Sequence, residues 1–439
     1  MNRIYIVLSF ILAFSLSGFA QITITGSRVV EIKPESSTGL KTVYVVENTD
    51  GCRMSYTATS NSVSWERFSS LGGGFAEPVA GVTKSGNTYT INIEANIGYI
   101  ITDGTVQTCV WVCNYADFPY TVTELLPAEN DCDRLVLNVV GSAPEMIYYT
   151  INGRRMTLDR KIRLTYNSLV YNSDSEQYVQ KVMETSFEYV GSMVSVRAPL
   201  CATSVTIHPG RFAEAWGEGR DVESQWVDPV AVEASVSATQ EETNYDNQQS
   251  AGDSGNSLGG SAPCEITFKA IVTDAAIFRR WEFSNSPNFE DAKLTFSDTE
   301  FSYVFEEAGS TYVRFTADNA FGNCPFISDT FVVTIGDSRL ECPNAFSPGA
   351  SEGVNDEWKV SYRSIIEFHC EIFNRWGQKL ATLTEPWQGW DGIVGGKPVP
   401  SGVYFYVINA LGSDGKKYKL SGDINVISSR RNSNLAPVE

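Results

Sequence analysis

The chain has 439 residues, with 52 acidic against 33 basic side chains and a formal charge of −19. At roughly 100–200 residues per domain this length calls for several domains, and a hydrophobic content of 42% supplies their cores. The acidic balance excludes nucleic acid as a partner, because phosphate recognition needs surplus Lys and Arg, and it argues against docking on anionic lipid.

Arg3 and the apolar residues 4–19, closing on Gly18-Phe19-Ala20, read as a secretory signal peptide over residues 1–20, cleaved after Ala20. Strand-like alternation follows at once in Gln21-Ile22-Thr23-Ile24-Thr25, and the first cysteine is Cys52, which speaks against a lipoprotein anchor. No later stretch approaches the ~18 apolar residues of a membrane helix, so no transmembrane span is expected in the mature chain. Residues 42–47, 89–94, 108–114 and 134–140 read as short strands separated by Gly, Asn, Asp and Ser. The expected fold class is all-β: tandem Ig-like or β-sandwich domains joined by a flexible polar linker. Residues 239–260 are polar apart from Tyr245 and Leu258, too few apolar groups to offset ordering entropy, which puts the linker at 237–262. With breaks near Leu126-Pro127-Ala128 and Gly336-Asp337-Ser338, the expected domains are 21–127, 128–236, 263–337 and 338–430, with a disordered tail at 431–439.

Nine cysteines in an exported chain suggest a disulfide framework with one thiol left over. The best pair is Cys264 with Cys324, which bracket the third domain; Cys132 with Cys201 follows, and Cys342 with Cys370 is a third. A buried thiol explains Cys370 nearly as well, since it shares a strand face with Phe368 and Ile372. Cys109 and Cys113 lie four apart in a strand, about 13 Å, beyond the ~7 Å reach of a disulfide. Cys52 could take one of them, leaving the other as the odd thiol.

Glu214, Glu218, Asp221 and Glu223 surround Trp216 and Trp226, and carboxylates beside aromatics can mark a site that binds or cleaves sugar. The Gly-rich context favours a solvated loop, so a glycan-active enzyme or carbohydrate-binding module is the alternative reading. His208 stands before Pro209-Gly210 without a nucleophile placed by motif, and His369 lies far away, against His-based catalysis. Glu352-Gly353-Val354-Asn355-Asp356-Glu357 offers oxygen ligands for calcium, but not at EF-hand spacing. No catalytic residue, cofactor or metal is assigned.

In the third domain, Ala308-Gly309-Ser310-Thr311-Tyr312-Val313-Arg314-Phe315 followed by Asp318-Asn319-Ala320-Phe321-Gly322 resembles the second half of a PKD or immunoglobulin-like module. Such modules serve as spacers and interaction surfaces.

The densest motifs lie at the end of the chain. Asn344, Phe346 and Pro348 lead to Asn355, Asp356 and Trp358, then to Asn374-Arg375-Trp376-Gly377. Trp390-Asp391-Gly392, Gly402 with Tyr404, and Gly422 complete the set. This order and spacing over residues 341–430 resembles the gliding-motility-associated C-terminal domain, the type B sorting domain of type IX secretion cargo. One departure is Pro348-Gly349-Ala350-Ser351-Glu352-Gly353, where family members often carry Pro-Asn-Gly-Asp-Gly. From the residues alone the segment is an Ig-like sandwich. Phe368, Cys370 and Ile372 line one strand face, Val403, Phe405 and Val407 line another, and Trp376 and Trp390 read as core aromatics. The resemblance implies export across the outer membrane, with the type IX machinery and an outer-membrane protein as partners and the cell surface or medium as destination. The rest of the chain would then be a non-enzymatic passenger, a structural or binding module for a glycan or surface protein.

Overall fold

The computed structural model describes residues 22–72, 74–241, 245–249, 258–350 and 353–427. The expected signal peptide and the tail at 431–439 lie outside them. The described chain is built almost wholly of β-strands, with one α-helix, Arg211–Trp216. It forms two compact units, Met1–Leu169 with Gln180–Pro229, and Val170–Val179 with Val230–Glu439.

The first unit opens with a sandwich of a four-stranded and a six-stranded sheet. Met54, Tyr56, Trp65, Ile91, Tyr99, Ile101, Val110 and Val112 fill the space between them. The strand Val106–Asn114 is buried without interruption from Thr108 onward. A continuous apolar run of this kind signals a strand covered on both faces. Its second face carries Cys109, Trp111 and Cys113, which pack with Met146, Tyr148, Phe212 and Trp216 from later in the chain. Cys52 belongs to the core on the opposite side of that sheet, which rules it out as partner to either Cys109 or Cys113. All three are thiols.

The second sandwich pairs a three-stranded sheet, Glu124–Asn130 with Arg134–Val140 and Met193–Arg197, with a four-stranded one. Leu125, Leu135, Leu137, Leu164, Tyr166, Val194 and Ile207 form its core. The break expected at Leu126-Pro127-Ala128 is instead an irregularity inside the opening strand, where the register shifts between Pro127 and Glu129. Proline lacks the ladder N–H, so a bulge is where a strand accommodates it. The helix Arg211–Trp216 buries Phe212, Ala213 and Trp216 and ends at Gly217, whose φ of 68° suits a residue without Cβ.

In the second unit, Ala234–Gln240 is a strand in register with Cys264–Val272, from Ala234 opposite Val272 to Gln240 opposite Ile266. The third sandwich therefore starts before the expected linker and uses its first residues. An aromatic core of Phe268, Trp281 and Phe315, with Ile266, Val313 and Val333, holds the two sheets.

The last domain has a five-stranded sheet in the order Ala345–Phe346, Lys417–Val426, Gly402–Gly412, Ile365–Phe373 and Lys379–Leu383. Its inner face, including Phe368, Cys370, Ile372, Ile408 and Ile424, packs against Phe346, Trp358, Tyr362 and Trp390.

The disulfide framework differs from expectation. Cys132 and Cys324 are half-cystines, whereas Cys264, Cys201, Cys342 and Cys370 carry thiols, so none of the three expected pairs forms. Cys264 is buried in the third core, where burial pushes its thiol up to about 11. Cys370 is sealed in the last core and is pushed up to about 12, again by burial.

Candidate functional site

The motif residues of the last domain assemble one structure around two tryptophans. Trp358 and Trp390 exchange backbone hydrogen bonds, with N–H to carbonyl distances of 2.9 and 3.0 Å. The Trp358 indole donates to the Pro343 carbonyl at 2.7 Å. Phe346 and Tyr404 lie against Trp390 with ring centroids 5.5 and 5.4 Å away. The Tyr404 hydroxyl donates to the Pro400 carbonyl at 2.8 Å. Gly392, at φ 73°, has Phe346 3.2 Å from where a Cβ would stand. Gly422 is packed by Tyr406, whose hydroxyl would lie 2.7 Å from a Cβ. The Asn344 carbonyl accepts from both the backbone and side-chain amides of Asn425.

The acidic loop is organised the same way. The Asp356 carboxylate accepts the Gly349 and Gly353 amides at 2.9 and 2.7 Å, and Asn355 accepts the Ser347 amide through its carbonyl. The Asp356 carboxylate and Asn355 carbonyl considered for calcium thus close a turn, Glu352 lies outside the described residues, and among the described residues no group of three His, Cys, Asp or Glu side chains that could hold a metal forms. The Asp391 carboxylate likewise accepts the Ile393 amide at 2.9 Å.

Arg375 and Trp376 behave differently. Asn374 accepts the Trp376 and Gln378 amides through its side chain, both at 3.0 Å, and Gly377 closes the turn at φ 79°. The turn is therefore rigid, yet Trp376 is 81% exposed rather than core. Val403, Phe405 and Val407 do share one strand face, and it is the outward one: they are 43, 42 and 42% exposed, and it is Tyr404, Tyr406 and Ile408 that face inward. Alternation alone could not choose the face, because both sets are apolar.

Residues 245–249, expected to be linker, bind this domain. Tyr245 stacks on Trp387 at 4.8 Å with planes 9° apart. The Asn247 side-chain amide donates to the Val360 and Pro386 carbonyls, each at 2.8 Å. The Gln249 amide donates to the Tyr362 carbonyl at 2.7 Å. A cavity of about 340 Å³ lies alongside, lined in part by Tyr245, Tyr362, Trp387 and Cys264. Polar composition hid this segment, since one stacked aromatic, a few amides and the ion pair of Asp246 with Lys359 hold it.

The carboxylates of the alternative sugar site do not converge. Glu214 pairs with Arg163 at 3.3 Å, Glu218 with Arg28 at 3.2 Å, Asp221 with His208 at 3.0 Å, and Glu223 accepts the Ser204 hydroxyl. Burial foremost, then the neighbouring Glu47, holds Glu218 above the usual carboxylate range. Trp216 is core, 4.6 Å from Tyr115, while Trp226 is 71% exposed. His208 also contacts the Thr165 hydroxyl at 2.8 Å, giving the order hydroxyl, imidazole, carboxylate. Thr165 sits on a strand with neighbours on both edges, so its backbone serves the sheet and offers no oxyanion donors.

These features define a string of β-sandwich modules. Residues 124–224 match the fibronectin type III domain. Residues 340–426 match the CHU_C type IX secretion signal domain, in agreement with the resemblance read from the motifs. No curated protein matches the chain. Among solved structures, a tetra-tandem repeat in the extending region of a large adhesion protein is 11% identical, over 86% of this chain and 96% of that one, with a TM-score of 0.20. The chicken CNTN1 FN1-FN3 domains are 13% identical, over 70% and 98%, with a TM-score of 0.24. Dimeric latent PorU from Porphyromonas gingivalis is 10% identical, over 70% and 33%, at 0.16. The last domain marks the chain for type IX export, to the cell surface or beyond. Among the described residues no helix is long and apolar enough to cross a membrane.

Proposed function

We propose that this is a non-enzymatic, multi-domain β-sandwich protein carried across the outer membrane by the type IX system through residues 338–430, with the preceding sandwiches as its cargo. The match of residues 340–426 to a type IX secretion signal carries this reading. The cargo acts as a structural or binding module for a surface protein or glycan. In support, the acidic side chains near Trp216 and Trp226 are each engaged with separate partners instead of facing a common cleft. Entry into the periplasm uses the N-terminal signal peptide, with the mature chain starting at Gln21. Protease treatment of intact cells, with immunoblots of periplasm, surface and medium, tests the reading. Full-length chain digested from outside or recovered from the medium is the expected result, and a chain held wholly in the periplasm would overturn it.

A further inference from the structure

The cavity beside residues 245–249 measures about 340 Å³, which falls within the roughly 300–1,000 Å³ of small-molecule sites. Its walls come from the third sandwich and the last domain, both in the second unit. Junctions between domains are where such sites form.

The lining sorts by chemistry. Tyr245, Tyr362 and Trp387 bring aromatic rings, with Ile365 beside them. Stacking on Trp387 uses one face of Tyr245, and that residue is still 39% exposed. Tyr362 is only 2% exposed, yet among the described residues its hydroxyl has no hydrogen-bond partner. Burial foremost, then Tyr245 and Glu385, raises this phenol above its usual range, so it stays a neutral donor. Glu241 and Glu265 line the cavity from exposed positions, and among the described residues neither is in an ion pair. Among the described residues no Lys, Arg or His lines it. Two further polar side chains are already engaged. The Gln240 amide exchanges hydrogen bonds with the Gly259 backbone at 2.8 and 2.7 Å, and the Ser261 hydroxyl accepts the Ser364 amide at 2.8 Å.

This chemistry selects a ligand class. An anion would meet two carboxylates and no basic group. A sugar would bury hydroxyls with too few partners, which is costly. A metal ion calls for several converging ligands, and among the described residues no group of three that could hold one forms. An organic cation suits both features, because aromatic faces attract it and the two unpaired carboxylates add to that attraction.

We propose that this cavity binds a small organic cation of the alkylammonium class. Its charged head lies against the aromatic rings and faces Glu241 and Glu265, and a polar substituent meets the Tyr362 hydroxyl. A lipid headgroup that carries phosphate beside its ammonium is repelled by the same carboxylates, so the ligand is free rather than lipid-borne. The site stands apart from the export reading, and neither rests on the other.

Titration calorimetry on the purified full chain tests it. The probes are choline, tetramethylammonium, the neutral isostere of choline with a tert-butyl group in place of trimethylammonium, and phosphatidylcholine vesicles. Choline is expected to bind saturably, the neutral isostere about tenfold or more weakly, and the vesicles not at all. Glu241→Gln combined with Glu265→Gln should weaken choline by about tenfold and leave the melting curve in place, since both side chains are exposed. Tyr245→Leu should weaken it at least as much, and Trp226→Ala should leave it unchanged. Absence of saturable binding of both choline and tetramethylammonium overturns the inference. Equal affinity for choline and its neutral isostere does so too, as does wild-type affinity in both the double glutamine variant and Tyr245→Leu. Binding to vesicles without binding of free choline would likewise overturn it.

Discussion

The strands Val106–Asn114 and Gly402–Gly412 carry the same kind of sequence, a nearly unbroken apolar run, and meet different fates. In the first sandwich both faces of the strand are buried, the second by Met146, Tyr148 and the helix residues Phe212 and Trp216. In the last domain only the face with Tyr404, Tyr406, Ile408 and Ala410 is covered, and Val403, Phe405 and Val407 stand open. An apolar run thus does not by itself say how many faces a strand buries. One strand is completed by its own chain. The other keeps one face open.

The comparison breaks most easily at the covered strand. Trp111 is buried against Phe68 and Tyr149, each 5.7 Å away, so Trp111→Ala should cost about 3–5 kcal/mol and lower the melting transition of the first unit. A calorimetric scan checks this. Asp103, at the end of the neighbouring strand, gives the next effect. Burial opposes its ionisation, but hydrogen bonds from Ser60 and Thr59 outweigh that and hold its carboxyl below the usual range. A carboxyl depressed on folding stabilises fully above its unfolded value of about 4 and loses that contribution as pH falls through its folded value. Asp103→Ala should therefore cost about 2–3 kcal/mol near neutral pH, with the gap from wild type closing below about pH 4. Melting curves across that range measure both.

How far these differences could be read in the sequence depends on what the signal encodes. Period two placed Phe368, Cys370 and Ile372 on one buried face, because Glu367, His369 and Glu371 between them are polar. It also put Val403, Phe405 and Val407 on one face, but could not say whether that face or the one with the alternating tyrosines was core. Motif order identified the last domain but could not distinguish Trp390, enclosed by Phe346 and Tyr404, from Trp376, presented on a turn. Cysteine pairing was illegible for another reason: spacing limits which cysteines can meet, and only the folded chain selects among those that remain. The segment 245–249 was misread because its attachment rests on a few specific groups that composition averages away.

Smaller effects sharpen the contrast. Asn247→Ala removes two hydrogen bonds to the Val360 and Pro386 carbonyls and should cost about 1–2 kcal/mol, read as a lower melting temperature of the last domain. Phe405→Ser on the open face should cost about 1 kcal/mol or less, because Phe405 is already 42% exposed. If calorimetry instead shows it as damaging as Trp111→Ala, the face is covered in the free protein and the contrast between the two strands disappears.

The central claim is that the last domain exports everything before it, and deletion of residues 341–439 tests this most directly. The truncated chain keeps the aromatic core of the third sandwich and both sandwiches of the first unit, so it should remain folded. In fractionated cells it should accumulate in the periplasm, while the full-length chain reaches the surface or medium. Truncated chain recovered outside the cell at the full-length level would contradict the account and make the last domain one more cargo sandwich.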